Sequence, residues 1–469
     1  MDDFNAELLS RLPLAEAVLL TLSHVAQPSF LEDLYERCRG RTYQKVLSFP
    51  VLVHLISDAL VQHKGSGRQS FTRADEQERM PVTDSAAYRK LSRLPLPLSE
   101  AFLAETTDRL SQLGCAKSTT TIPASLQAMT LVPLDGKKIK NVAKRIKALR
   151  GLPGSVLGAK VLVGLRLDTG EAIAFHADPD GESNDCPLVP GLLPQIRSRT
   201  PGPRLFIADR QFCGTDQLDL FAAEEDHYLV RRTTTARFTA DPERLSREGV
   251  DTRGRRYVEA WGELGTGIKR RYVRQITLER PGEETITLVT DLLDGEMVPA
   301  TDLLDAYLMR WQIERVFQQI TEVFALQSLI GGTPEAVVFQ CALCLLLYNV
   351  LQMVRGLLAE IKEYEPEKIS TEQVFNDTRR ELVSLATLGD TEMITEHVGA
   401  PAAPEQIRAR LVDLLSKTYS ARWLKAGAKK KTPPRDHAKK SGAHTSVSRA
   451  QKAYNEAKKE KRKPNGGPK

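Results

Sequence analysis

Apolar positions recur at helical spacing through the first quarter of the chain. Ala15, Val18, Leu19 and Leu22 form one set, and Leu52, Leu55, Ile56 and Leu60 another. That period predicts helices over residues 1–125, punctuated by Gly40, Gly65, Gly67 and the Pro95–Pro97 stretch. After Ile122 and Pro123 the period shortens. Leu131, Val132 and Leu134 run into Asp135 and Gly136. Residues 160–167 and 172–175, joined through Asp168, Thr169 and Gly170, predict a β-hairpin. A helix is predicted over Leu188–Ile196. Arg204-Leu-Phe-Ile-Ala208 then reads as a short buried strand with Asp209 at its tip. A helix over 216–224 and a strand over 227–230 follow. Strands alternating with helices predict an α/β domain.

Residues 232 to about 300 break that rhythm. They are rich in Thr, Arg and Gly, and predict a β-rich insertion with strands at 257–261, 271–276 and 285–290. Residues 302–325 predict one long helix. Residues 335–360 predict another, apolar enough from Val337 to Val354 to span a bilayer. Gln340, Asn349 and Gln352 interrupt it and it stands alone, so a buried core helix and no membrane partner are expected.

Composition changes this picture at one place. The chain has 469 residues, 41% hydrophobic and 27% charged, which fits a soluble globular protein and excludes a largely disordered one. The net charge is +6. Residues 425–469 alone carry 15 Lys/Arg against 3 Asp/Glu, so the rest is mildly acidic. With few large apolar residues, this stretch predicts a basic disordered tail. Contact with nucleic acid phosphates and simple solubilisation both fit it. The basic residues Arg39, Arg41, Lys45, Arg89, Lys90 and Arg93 among the first helices are equally open: a solvated face, or a DNA-contacting one. Six irregularly spaced cysteines are no disulfide framework, and acidic Asp2, Asp3 and Glu7 do not suit a secretory leader. A cytoplasmic protein is expected.

Three carboxylates stand where chemistry is plausible. Asp135 and Asp209 each close an apolar run, and a carboxylate at a strand end is costly unless solvated, paired or bound to a metal. Two on neighbouring strands could converge on one hard cation. On the predicted helix 302–325, Ile313, Val316, Phe317, Ile320 and Phe324 share one arc, and Tyr307, Arg310, Glu314 and Thr321 the adjoining one. Glu314 would then sit at the margin of the helix–sheet contact. By spacing alone, an Arg310–Glu314 surface ion pair is the competing reading.

These residues resemble the motifs of bacterial insertion-sequence DDE transposases of the insertion-sequence-four type. Leu134-Asp135-Gly136 is similar to the first-Asp motif, and Ile207-Ala-Asp209-Arg-Gln-Phe212-Cys213 to the second. Tyr307-x-x-Arg310-Trp311-x-Ile313-Glu314-x-x-Phe317 is similar to the signature around the catalytic Glu. The resemblance covers most of residues 10–360. It departs at Thr321, where the family has a Lys, and at Lys137 and Lys138, where a small or polar residue is commoner.

The resemblance implies a ribonuclease-H-like mixed sheet with flanking helices over 126–424, with the insertion at about 232–300 shaping the DNA-end site. An all-helical DNA-binding domain over 1–125 would precede it, and the basic tail of 425–469 would follow. It implies Asp135, Asp209 and Glu314 as catalytic ligands of two Mg²⁺ or Mn²⁺ ions. Cut-and-paste transposition follows: DNA strand cleavage at element ends, then strand transfer to target DNA. Tyr307, Arg310 and Arg210 would contact DNA, and Trp261 would stack on a flipped base. Partners implied are double-stranded DNA, as terminal inverted repeats and target, and a second copy in a homodimer on DNA. The location implied is a bacterial cytoplasm, at the nucleoid when bound. The rival readings are an RNase-H-like nuclease and an inactive or domesticated DNA-binding relic. Asp178, Asp180, Glu182 and Asp185 read as a solvated acidic turn, Cys341 and Cys344 as core packing, and His176 and His227 as unpartnered.

Overall fold

The structure is a computed structural model, and it describes residues 3–40, 46–114, 120–140, 142–144, 147–280, 282–324, 326, 328–389, 391–399, 402–418, 421–425 and 444–460. Arg41 and Lys45 lie outside them. Helices come first: α1 (Asp3–Ser10), α2 (Pro13–Val25), α3 (Pro28–Cys38), α4 (Phe49–Val61), α5 (Gly67–Glu76), α6 (Asp84–Leu91) and α7 (Leu96–Ser111). Proline in the first turn of α2, α3, α4 and α7 removes no helical hydrogen bond. Ser48, Ser66 and Thr83 cap α4, α5 and α6. The middle of the chain forms β1 (Thr130–Ile139), β2 (Ser155–Leu157), β3 (Ala159–Arg166), β4 (Glu171–Asp178), α8 (Val189–Arg197), β5 (Arg204–Ala208), α9 (Thr215–Phe221) and β6 (His227–Arg231). Then come β7 (Phe238–Ala240), β8 (Arg247–Val250), β9 (Arg256–Leu264), β10 (Arg271–Leu278) and β11 (Ile286–Thr290). The remainder is α10 (Ala300–Met309), α11 (Trp311–Glu322), α12 (Pro334–Ile361), α13 (Thr371–Leu388), α14 (Thr391–Val398), α15 (Pro404–Ser416), β12 (His444–Ser446) and α16 (Val447–Glu460).

Among the described residues one mixed sheet runs in the order β4-β3-β1-β5-β6-β11-β10-β9-β7, with β8 also on β9. β1, β5 and β6 are parallel, and antiparallel strands extend the sheet on both sides. This is a mixed α/β fold with flanking helices, as expected. The strands of residues 232–300 do not form a sheet of their own. They prolong the central one, because β11 pairs with β6.

Side chains alternate between the two faces. Val132, Leu134, Leu162 and Phe206 face Leu192 and Ile196 of α8 and Phe221 of α9. Leu131, Val161, Val163, Leu205 and Ile207 enter a larger core that holds α11, α12 and the N-terminal helices. Phe339 of α12 lies 5.6 Å from Phe49 and 5.4 Å from Phe102 between ring centroids, so α4 and α7 share that core. α12 is long and apolar enough to cross a membrane, but its apolar stretch is wholly buried in protein.

The polar residues that interrupt α12 are staples. Gln340 accepts from the Ile330 amide and donates to the Ser328 carbonyl. Asn349 is fully buried. It accepts from the Ala172 amide at 2.9 Å and donates to the Ala172 carbonyl at 2.8 Å and to Thr107 Oγ1 at 2.9 Å. β4 is the first strand in the sheet order, so its outward backbone groups need such a partner under a layer of helix.

The tail expected over 425–469 is not unstructured at 444–460. β12 pairs in parallel with β2, Val447 is fully buried, and Arg449 forms ion pairs with Asp180 and Glu182 at 2.6 Å each. The acidic turn that composition assigned to solvent is therefore partly a docking site for this segment.

Asn349→Leu strands the amide and carbonyl of Ala172 in the core. A loss of about 2–4 kcal/mol is expected, measured as a lower urea midpoint. Gln352→Leu, whose contact to Thr371 Oγ1 is 3.5 Å long, is expected to cost clearly less.

Candidate functional site

Asp135 and Asp209 are set side by side by strand register. β1 and β5 pair in parallel with Leu131 opposite Leu205 and Pro133 opposite Ile207. Two residues further along each strand stand Asp135 and Asp209, at equal depth. Alternation sends both towards the face of Leu131, Leu205 and Ile207, which is the face covered by α10 and α11.

The helix predicted over 302–325 is divided in two. Arg310 is the joint, its amide bonded to Tyr307 O and its carbonyl to the Ile313 amide, both three residues away. These tighter turns keep Tyr307, Arg310 and Glu314 on one side. The Tyr307 hydroxyl lies 3.5 Å from Asp209 Oδ1. Arg310, only 6% exposed, donates to Glu314 Oε1 at 3.0 Å. Its charge also acts on Asp135, Asp209 and Tyr307. The surface ion pair of the competing reading is present, but its Arg is buried.

Burial raises the Asp135 carboxyl to about 6. Arg310 and the Gly136 amide oppose the rise, while Glu314 and Asp185 add to it. Burial likewise pushes Tyr307 up to about 12. Asp135, Asp209 and Glu314 are oxygen donors of the kind hard cations take. Among the described residues, however, no three His, Cys, Asp or Glu side chains are close enough to hold one ion. Asp135 and Asp209 fit such a cation with water and phosphate completing its shell. Glu314 is held instead by Arg310, through Oε1.

The other expected residues divide. The side chain of Arg210 is 57% exposed and 3.9 Å from Glu284, open to a phosphate. Tyr307 is 4% exposed and turned to Asp209 rather than to an open surface. Trp261 does not present a face to a base. It is 1% exposed, donates to Leu293 O at 2.8 Å, and has the Arg244 guanidinium 3.9 Å from its ring centre. The exposed indole is Trp311, beside Arg310 in an open cleft with Arg253 and Arg315. Its place between two motif residues was the available signal. Thr321 returns its hydroxyl to Phe317 O at 2.6 Å, and the Lys137 ammonium meets the same carbonyl at 3.3 Å. Cys341 and Cys344 are buried in α12. His176 and His227 do have partners, in Glu100 at 3.0 Å and Asp291 at 2.9 Å.

Asp135→Asn provides a test of this geometry. A carboxyl raised above its unfolded value weakens the fold as pH climbs through the window between the two. The variant is therefore expected to melt higher than the parent at pH 7–8 without added metal. The gap should close as pH falls from about 6 towards 4. Thermal melts across that range read it.

Residues 129–350 match the family model described as Transposase DDE domain. The matched segment holds all three carboxylates. No curated protein is significantly similar to the chain in sequence. Among solved structures, the piggyBac transposase synaptic complex with hairpin DNA, determined by cryo-EM, aligns over 87% of each chain at 11% identity and a TM-score of 0.40. A likeness that distant carries no weight for function.

Proposed function

We propose that this chain is a DDE transposase of the insertion-sequence-four type. In this reading it binds the ends of its own element and cleaves and joins DNA by metal-dependent phosphoryl transfer. The observation that carries the reading is the pairing of Asp135 and Asp209 at one depth on parallel strands, inside the segment similar to the transposase DDE domain.

Asp135 and Asp209, with Glu314, would hold the cations. Two Mg²⁺ or Mn²⁺ ions bound there supply an activated water and neutralise charge on the leaving oxygen. The remaining work falls to the chain. Arg310 suits a forked contact with a terminal phosphate. Moving its guanidinium from carboxylate to phosphate would free Glu314, so DNA arrival and completion of the ligand set would be one event. Tyr307 would steady Asp209 rather than reach DNA. Arg210 would contact the backbone, and the exposed Trp311 would give an unstacked base an aromatic face. Cut-and-paste requires that the freed 3′-OH attack a second DNA site. A homodimer on paired ends would bring the two ends together.

A specific observation favours a second reading. Thr321 stands where the family has Lys, and its hydroxyl is satisfied within its own helix. That departure suits a DNA-binding relic without turnover. One gel separates the two. Labelled element-end DNA is incubated with the protein in Mg²⁺ and in EDTA. Metal-dependent cut and joined products are expected, lost in Asp209→Asn while DNA binding persists. Arg310→Ala is expected to weaken both end binding and cleavage. Binding with no product in either Mg²⁺ or Mn²⁺ would carry the relic reading instead.

A further inference from the structure

The acidic turn after β4 ends in a residue that is not at the surface. Asp185 is 4% exposed, and its carboxylate is ion-paired with Lys160 of β3, itself 5% exposed. The side-chain amide of Gln211 donates to the other carboxylate oxygen. Gln211 lies two residues beyond Asp209. Cys186 Sγ donates to the Gln211 carbonyl at 3.1 Å, holding the same loop a second time. On its other side the Asp185 carboxylate covers Gly136, the neighbour of Asp135. A Cβ on Gly136 would fall 1.9 Å from Asp185 Oδ1 and 2.3 Å from its Cγ. Glycine is required there because the carboxylate occupies the space.

One buried carboxylate thus touches β1 beside Asp135 and the loop that follows Asp209. It does so from the reverse face of the sheet, the face of Leu134 and Leu162, since Gly136 alternates with Asp135. It cannot ligate what Asp135 and Asp209 ligate. Its charge is paired with Lys160. What remains is a mechanical link between β1, β3 and the loop after β5.

We propose that Asp185 is a positioning residue: the Lys160–Asp185–Gln211 clasp fixes the spacing of Asp135 and Asp209 on which cation capture depends. The proposal rests on reading those two aspartates as cation ligands. Partners that orient metal ligands typically change affinity by about 10–100-fold when removed.

The test is Mn²⁺ binding to the full chain without DNA, followed through the electron paramagnetic resonance signal of free Mn²⁺. Asp135→Asn is the control for the reading itself, and is expected to remove the site. Asp185→Ala is expected to weaken Mn²⁺ binding by about ten-fold. Gln211→Ala breaks one arm of the clasp without leaving a buried charge unpaired. It keeps the test valid if Asp185→Ala fails to fold, and is expected to weaken binding several-fold. Parent-like Mn²⁺ affinity in folded Asp185→Ala or in Gln211→Ala overturns the positioning role. Parent-like affinity in Asp135→Asn overturns the cation-ligand reading instead.

Discussion

Carboxylates repel one another, and withdrawing them from water sharpens the repulsion. Asp135 and Asp209 nonetheless stand side by side beneath α10 and α11, with a buried guanidinium close to both. Arg310 bonds Glu314 directly and lies within electrostatic reach of both aspartates. Burial still raises the Asp135 carboxyl, against the pull of Arg310 and the Gly136 amide. Arg310 sits at the joint, where its side chain points inward while Trp311 points out.

Holding that cluster in place requires a frame that does not shift. Parallel pairing of β1 with β5 fixes the depth of the two aspartates. The strands beyond β6 widen the sheet, and Arg274, fully buried, pairs with Glu259 across β9 and β10. On the opposite side, α12 grips β4 through Asn349. Such polar contacts inside an apolar core add modest net stability but fix one register. They also tie the N-terminal helices to the sheet, since Thr107 of α7 shares the Asn349 amide.

Much of this was legible from periodicity. The strand at 204–208 and the polar residue at its tip were read from the run itself, as were the hairpin and α12. What escaped depended on facing and on distant partners. Trp261 lies on a strand whose pattern does not say which face is covered, and the cover came from Leu293, Arg244 and Arg274. Asp185 sits in a run of acidic residues whose composition pointed to solvent. Its partners Lys160 and Gln211 are about 25 residues away on either side, and local reading does not join them. The segment 444–460 looked too polar to fold, and is held by three backbone-paired residues, one buried Val and one Arg. Residue 310 interrupts a helix without a Pro or Gly to announce it.

The pairing of β12 with β2 has a consequence for the order in which the fold closes. The two strands are ~290 residues apart, yet closing a long loop costs only ~0.6 kcal/mol more for each doubling of its length. During synthesis β2 waits without this neighbour until the last strand has been made. An unpaired strand edge is a template for any matching strand. Until then the edge that β12 covers stands open, and the Arg449 contacts to the acidic turn after β4 are also unmade. A segment read as a loose appendage is thus the clamp that closes last on an early part of the sheet-bearing region.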